Sequence, residues 1–265
     1  MNAKVHSKIY AQAIVHQTFP EFIKYAADQL FNLEVATFSF SNVYDADWRS
    51  ILTEQKQKLA GFKGKISLHG VFQDLLIHSN DKEIAQISKE RIANNLKLAG
   101  ELNATQVVFH GNFNPFVKDQ YYRKDWEEKN ASFWKEMLDC YNGGILIENC
   151  WEPSPAIFCG LLDKVNSPRL NLCFDIGHAN VYSNVPIKEW FVMLGHKMPY
   201  IHISDNFGEV DQHLEVGKGK INWQEFSTFA QNYATNPELV FEMVTLEKTE
   251  ESLRYLKENA IYPFQ

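Results

Sequence analysis

Six short apolar runs of this sequence end on a histidine or a carboxylate: Ile-Ser-Leu-His69, Val-Val-Phe-His110, Ile-Leu-Ile-Glu148, Leu-Cys-Phe-Asp175, Tyr-Ile-His202 and Val-Phe-Glu242. Carboxylates gathered within a few ångströms repel unless protons or cations neutralise them. Imidazoles interleaved with such carboxylates suit a borderline transition ion better than calcium or magnesium. The pattern therefore points to a divalent-metal site built from these run ends. His178, three residues after Asp175, and Asp211 and His213, which flank Gln212, extend the set. With His69 and His110 the candidates for further metal or substrate contacts number five. His6, His16, His78 and His196 lie away from these run ends and receive no ligand role; His16 follows the first apolar run, where a surface or loop place is expected.

For residues so distant in the chain to meet, the runs must be neighbouring strands whose ends share one face. Eight β-branched or apolar runs, at 9–15, 33–38, 65–68, 105–109, 144–147, 170–174, 199–203 and 239–241, alternate with longer amphipathic stretches. The helical spacing is plainest at 81–102, where Ile84, Ile87, Ile92, Leu96 and Leu98 supply apolar positions, and at 247–259. Alternating βα units imply a parallel sheet, and eight of them imply a closed (β/α)8 TIM barrel, here one domain over residues 1–265. No GxGxxG follows the first run, as a dinucleotide-binding open sheet would have it. In a parallel barrel the C-terminal strand ends build the active-site face, which is where all six terminal residues would fall.

Composition agrees with a large core: 45% of the 265 residues are hydrophobic and 14% aromatic. A formal charge of −7 disfavours a surface built mainly for polyanions. No run approaches the roughly 20 apolar residues of a membrane span, and residues 1–10 lack the apolar core of a signal peptide, so a cytoplasmic protein is expected. Cys140, Cys150, Cys159 and Cys173 form no CxxC pair and are expected as buried, reduced thiols. Trp126, Trp134 and Trp151 offer aromatic surface for an oligomer interface or for core packing.

Three stretches carry a resemblance: Ile147-Glu148-Asn149, Phe174-Asp175-Ile176-Gly177-His178-Ala179-Asn180, and His202-Ile203-Ser204-Asp205-Asn206 continuing to Asp211-Gln212-His213-Leu214 and Gly217-Lys218-Gly219. Here the chain resembles the xylose-isomerase-like barrels, which include sugar-phosphate isomerases and epimerases and, as a relative, endonuclease IV. In the epimerase branch the resemblance implies one divalent ion (Mn, Co or Zn) on Glu148, Asp175, His202 and Glu242. Glu148 and Glu242 would exchange protons with a sugar or sugar phosphate through an enediolate, and His178 would hold a substrate hydroxyl. In the endonuclease branch, all nine candidates would match a three-zinc centre that hydrolyses abasic DNA. The loops after His69 and His110, Gly70-Val71-Phe72-Gln73-Asp74 and Gly111-Asn112-Phe113-Asn114-Pro115, are short of the cations a nucleic acid needs, which favours the small molecule. Phe72 and Phe113 could wall a sugar pocket or stack on bases. Two departures from the epimerase pattern stand out: Lys218 takes a position often acidic, and no Arg lies between His202 and His213. Lys218 and Lys220 about Gly219 suit a phosphate or a solvated loop.

Overall fold

The computed structural model describes residues 3–14 and 18–265. Eight strands, β1 (Ile9–Ala13), β2 (Asn32–Val35), β3 (Ile66–His69), β4 (Gln106–His110), β5 (Gly144–Glu148), β6 (Leu170–Asp175), β7 (Tyr200–Ile203) and β8 (Glu238–Phe241), form a closed barrel in sequence order. Neighbours pair in parallel, and β1 closes the ring against β8. The expected strands are all present, although β2 stops three residues short of 38 because the chain turns after Ala36. Val15 and His16 lie outside the described residues.

Strand geometry explains how a barrel of apolar strands presents a polar end. Side chains alternate across a strand with period two. One alternate set points inward, where Tyr10, Val108, Leu146, Cys173, Tyr200 and Val240 form a cluster of their own inside the ring. The other set, including Leu33, Val107, Phe109, Ile145, Ile147, Leu172, Phe174, Ile201 and Phe241, belongs to the main core between the strands and the helices. Two residues beyond each inner position, on the same face, come Gln12, His110, Glu148, Asp175, His202 and Glu242. The apolar inner layer is thus the floor of a polar one. Register completes the arrangement: His110 pairs with Glu148, and Asp175 with His202.

The helices cover the outer face. Asp81 caps the helix Lys82–Glu101 by accepting from Glu83 N (2.9 Å) and Ile84 N (3.3 Å). Ile92, Leu96 and Leu98 of this helix are buried, but Ile84 and Ile87 are exposed. Ile87 lies five residues before Ile92, about 140° around a helix that advances about 100° per residue, and Ile84 sits in its first turn. The expected helix at 247–259 is Leu246–Glu258. In the helix Tyr122–Cys140, Trp126 and Trp134 are buried rather than exposed. Trp126 Nε1 donates to Gly111 O (3.2 Å), and the Trp134 ring lies 5.3 Å from that of Phe109. These two are core and offer no interface; Trp151 alone of the three is exposed. All four cysteines are free, with Cys150 and Cys173 buried, whereas Cys159 is half-buried and Cys140 ends its helix in solvent. No helix of the described residues is long and apolar enough to cross a membrane.

Candidate metal centre

Glu148, Asp175, His202 and Glu242 are all buried, each with a ligand-type atom within 4.8 Å of one on every other member. His202 sits in the middle: its Nδ1 lies 3.1 Å from Glu148 Oε1, 3.2 Å from Glu242 Oε2 and 4.0 Å from Asp175 Oδ2. His69 joins Glu148 and His202 in a second set of the same compactness. The Nε2 atoms of His69 and His110 each stand 3.3 Å from Glu148 Oε2. On the other side, Asp211 Oδ2 lies between His178 Nε2 (3.4 Å) and His213 Nε2 (2.8 Å). The nine residues are therefore contiguous, with Glu148 touching four of the five histidines.

Local structure aims these rings. Asn149 clamps the end of β6, donating from Nδ2 to Asp175 O and accepting at Oδ1 from Asp175 N, both at 2.8 Å. Asp175 in turn caps the helix Ile176–Tyr182 by accepting from His178 N (2.6 Å), which folds His178 back over the strand ends. The Nδ1 atoms of His69, His178 and His213 meet the backbone oxygens of Gly70 (3.0 Å), Asn149 (2.9 Å) and Glu242 (3.1 Å). A carbonyl only accepts, so each Nδ1 carries a proton, and in the neutral ring Nε2 turns its lone pair toward a carboxylate. His213 reaches this pose from left-handed backbone at φ 45°, a conformation that costs a non-glycine residue about 1–2 kcal/mol.

Charge decides whether such a set fits a cation. A lone pair facing a carboxylate repels it unless a proton or a metal lies between. Glu148 Oε2, Asp175 Oδ2, Glu242 Oε2 and Asp211 Oδ1 are buried without a hydrogen-bond partner, an expensive state for any anion. Burial works to raise the Glu148 carboxyl, but His202 and His110 outweigh it and hold it well below the ordinary range. Asp175 goes the other way: burial pushes it well above the carboxylate range, with Glu242 and Glu148 adding to the rise against His178. Burial would lower His202, yet the carboxylates around it, Glu34, Glu148 and Glu242, keep it well above the usual histidine value. Without a cation, the surroundings favour the protonated forms of His202, His178, His213 and Asp175, each held above its ordinary range. A divalent ion would replace them, and the donor set of imidazole and carboxylate suits Mn, Co or Zn.

Two site residues had gone unnoticed in the sequence. Glu34, fully buried in the middle of β2, lies 3.2 Å from His202 Nε2, and Gln12 donates to both Glu34 Oε1 (2.8 Å) and Glu242 Oε1 (3.3 Å). Neither ends its run, so attention to run ends alone passes over them; the signal is a charge inside a strand buried on both faces. Above the centre opens a cavity of about 200 Å³ whose walls include Ile14, Phe40, Phe72 and Val244. Phe72 thus takes the wall position, whereas Phe113 packs in the core against Trp126. Lys218 and Lys220 are exposed and line no part of this cavity. Their segment builds a loop: buried Asp205 accepts from Gly217 N, Ile221 N, Asn206 N and Trp223 Nε1. Gly217 has φ +87°, and a Cβ on Gly219 would come within 2.2 Å of Asp205 Oδ1. His78 is buried beside Tyr122 and Trp126 rather than in an open loop, and burial together with Lys129 lowers its pKa to about 4.

Residues 28–259 match the xylose isomerase-like TIM barrel family. The chain belongs to that family. This xylose isomerase-like barrel is 31% identical over 170 residues to the uncharacterized protein MJ1614 of Methanocaldococcus jannaschii, a match covering 61% of the chain and 64% of that relative, less than two thirds of its length. Its fold is shared with a D-tagatose 3-epimerase-like protein (TM-score 0.76, 22% identity, 95% of this chain and 96% of that one). It is shared equally with the TTHB071 protein of Thermus thermophilus, whose crystals were soaked with ZnCl2 (TM-score 0.77, 22% identity, 96% and 98%). At these identities the likeness is one of fold.

Proposed function

We propose that this barrel is a divalent-metal-dependent isomerase or epimerase of small sugars. The observation that carries the reading is the pair Glu148 and Glu242, both against His202 Nδ1 and both with an unpartnered oxygen, beneath a cavity whose described walls include no Lys or Arg. When bound, an Mn, Co or Zn ion on Glu148, Asp175, His202 and Glu242 would polarise a carbonyl and its neighbouring hydroxyl, making the adjacent C–H more acidic. One carboxylate takes that proton and the other returns one, on the opposite face for epimerisation. Gln12 holds Glu242 Oε1 and so leaves Oε2 for the substrate side. His178, with Nδ1 tied to Asn149 O and Nε2 3.4 Å from Asp211 Oδ2, lines the cavity, where it and Asp211 together would receive a sugar hydroxyl. The cation-free walls favour an unphosphorylated sugar over a sugar phosphate.

The test is solvent-deuterium incorporation into a panel of free ketoses by Mn- or Co-loaded protein. Exchange is expected, and Glu242→Gln should abolish it, a loss of at least the 10²–10⁴-fold typical of a general acid or base. Exchange undiminished in that variant overturns the assignment.

One observation favours a second reading, a zinc phosphodiesterase acting on abasic DNA: His69 and His110 on Glu148 Oε2, and His178 and His213 on Asp211, give each flank its own ligand group. About three zinc ions per chain together with abasic-site cleavage would replace the isomerase reading by this one.

A further inference from the structure

A second concavity, of about 490 Å³, lies on the same face of the barrel as the metal centre. The loops that follow β4, β5 and β6 build it, and three aromatic side chains line it: Phe116, Trp151 and Tyr182, with 85%, 44% and 39% of their surface exposed. Single exposed aromatics are ordinary, but three, from two loops and the end of the helix Ile176–Tyr182, around one hollow form an unusual apolar surface. Amides accompany the rings, since Asn114 and Asn184 line the same walls, and Lys118 is the one cation among its described residues. The loops are fixed to one another. Asn184 N donates to Pro153 O (2.8 Å), joining the segments after β6 and β5, and Phe113 N to Glu152 Oε1 (3.1 Å), joining those after β4 and β5. The hollow neighbours the metal centre: the Tyr182 ring lies 6.5 Å from that of His178, and Trp151 follows Glu148 by three residues.

We propose that this hollow is a second sugar subsite, so that the substrate of the metal centre is a glycoside whose second ring rests on Phe116, Trp151 and Tyr182. The inference rests on the sugar reading of the metal centre. A pyranose carries C–H bonds on its faces and hydroxyls around its edge, which matches flat rings rimmed by amides. Aromatic faces are electron-rich and attract polarised C–H bonds, and such rings orient a ligand while few polar groups give specificity. A nucleobase would also stack, but it arrives with phosphates, and these walls have one Lys and no Arg to receive them.

The experiment compares affinities on the Mn-loaded protein by calorimetry, using maltose, cellobiose and lactose against glucose and galactose. At least one disaccharide should bind about tenfold tighter than its monosaccharide, the gain expected of one or two ring contacts. In Trp151→Ala and Phe116→Ala, both at exposed positions that leave the core intact, this ratio should fall to within about threefold of unity. A ratio near unity for every pair in the wild type, or one that survives both substitutions, overturns the subsite. So does tighter binding of a short abasic oligonucleotide that depends on Trp151. Deuterium exchange into free ketoses reads the metal centre separately, so its presence with no disaccharide advantage rejects the subsite alone, and its absence rejects the isomerase reading.

Discussion

The imidazole of His202 is held from both ends. Nδ1 faces Glu148, Glu242 and Asp175, while Nε2 faces Glu34, whose carboxylate is itself held by Gln12 and lies 3.4 Å from Ser67 Oγ. A carboxylate behind a ligand histidine fixes the ring's tautomer and orientation and raises its basicity. Glu34 is therefore a positioning residue: it touches no cavity, yet it decides which nitrogen of His202 looks into the centre. Replacing it by Gln keeps the volume and the hydrogen-bonding reach but removes the charge. Glu34→Gln should bind Mn or Zn about 10–100-fold more weakly than wild type in competition with a chelating dye, with its Tm in chelator within a few degrees of wild type. An unchanged affinity would reduce Glu34 to a satisfied buried acid. The same logic runs through His69, His178 and His213, but there the fixing partner is a backbone oxygen, which no side-chain substitution removes.

At the scale of elements, the strands were legible in the sequence because their periodicity and their polar ends coincide. An apolar run can end on His, Asp or Glu six times over only if those ends share a protected environment, and the parallel barrel supplies one. The helix Lys82–Glu101 announced itself through its apolar spacing, although Ile84 and Ile87 turned to solvent. What stayed illegible is what depends on loops. Trp126 and Trp134 were open between interface and core because an aromatic on an amphipathic helix does not declare which neighbour covers it, whereas Glu34 read as an ordinary strand residue. The Gly217-Lys218-Gly219 segment suited a phosphate or a solvated loop, and the structure has it as a loop wrapped around Asp205, a buried carboxylate satisfied by three backbone N–H groups and an indole. That hub anchors the loop which carries Asp211 and His213 between two fixed points, Asp205 paired with Leu214 and the strand end at Ile203. Removing the carboxylate leaves the donors of Asn206, Ile221 and Trp223 buried and unpaired, each costing about 1–3 kcal/mol if no water reaches it. Asp205→Ala is expected to lose about 3 kcal/mol or more in urea unfolding. It should also lose metal stoichiometry or affinity on the Asp211 side, although Asp205 itself lies outside the ligand set. Wild-type stability in this variant would show that the glycines alone shape the loop.

Across the whole molecule, the barrel divides its interior into a stabilising part and a destabilising one. Below, Tyr10, Val108, Leu146, Cys173, Tyr200 and Val240 fill the ring with apolar and aromatic volume. Above, the strand ends and the segments that follow them carry nine ionisable groups, four of which have buried oxygens lacking any hydrogen-bond partner. Such groups persist because the outer core, spread over every strand and most helices, over-determines the strand ends and holds them in place against their own repulsion. A chain of net charge −7 that collects several of its carboxylates at one end has a standing affinity for cations there. Because an ion bound to the folded state alone stabilises by mass action, the melting temperature reports this directly. At a free-metal concentration about 1,000 times the Kd, the gain is about 4 kcal/mol. For a chain of this size that corresponds to on the order of 10 °C. Protein loaded with Mn or Zn should therefore melt roughly 10 °C above the same protein in excess chelator, measured by calorimetry at one protein concentration. Glu148→Gln, which removes the oxygen shared by His69 and His110 and the contact to His202, should melt at the same temperature with and without metal. Equal melting temperatures for wild type in metal and in chelator would mean that protons, rather than a cation, neutralise the strand ends in the working protein.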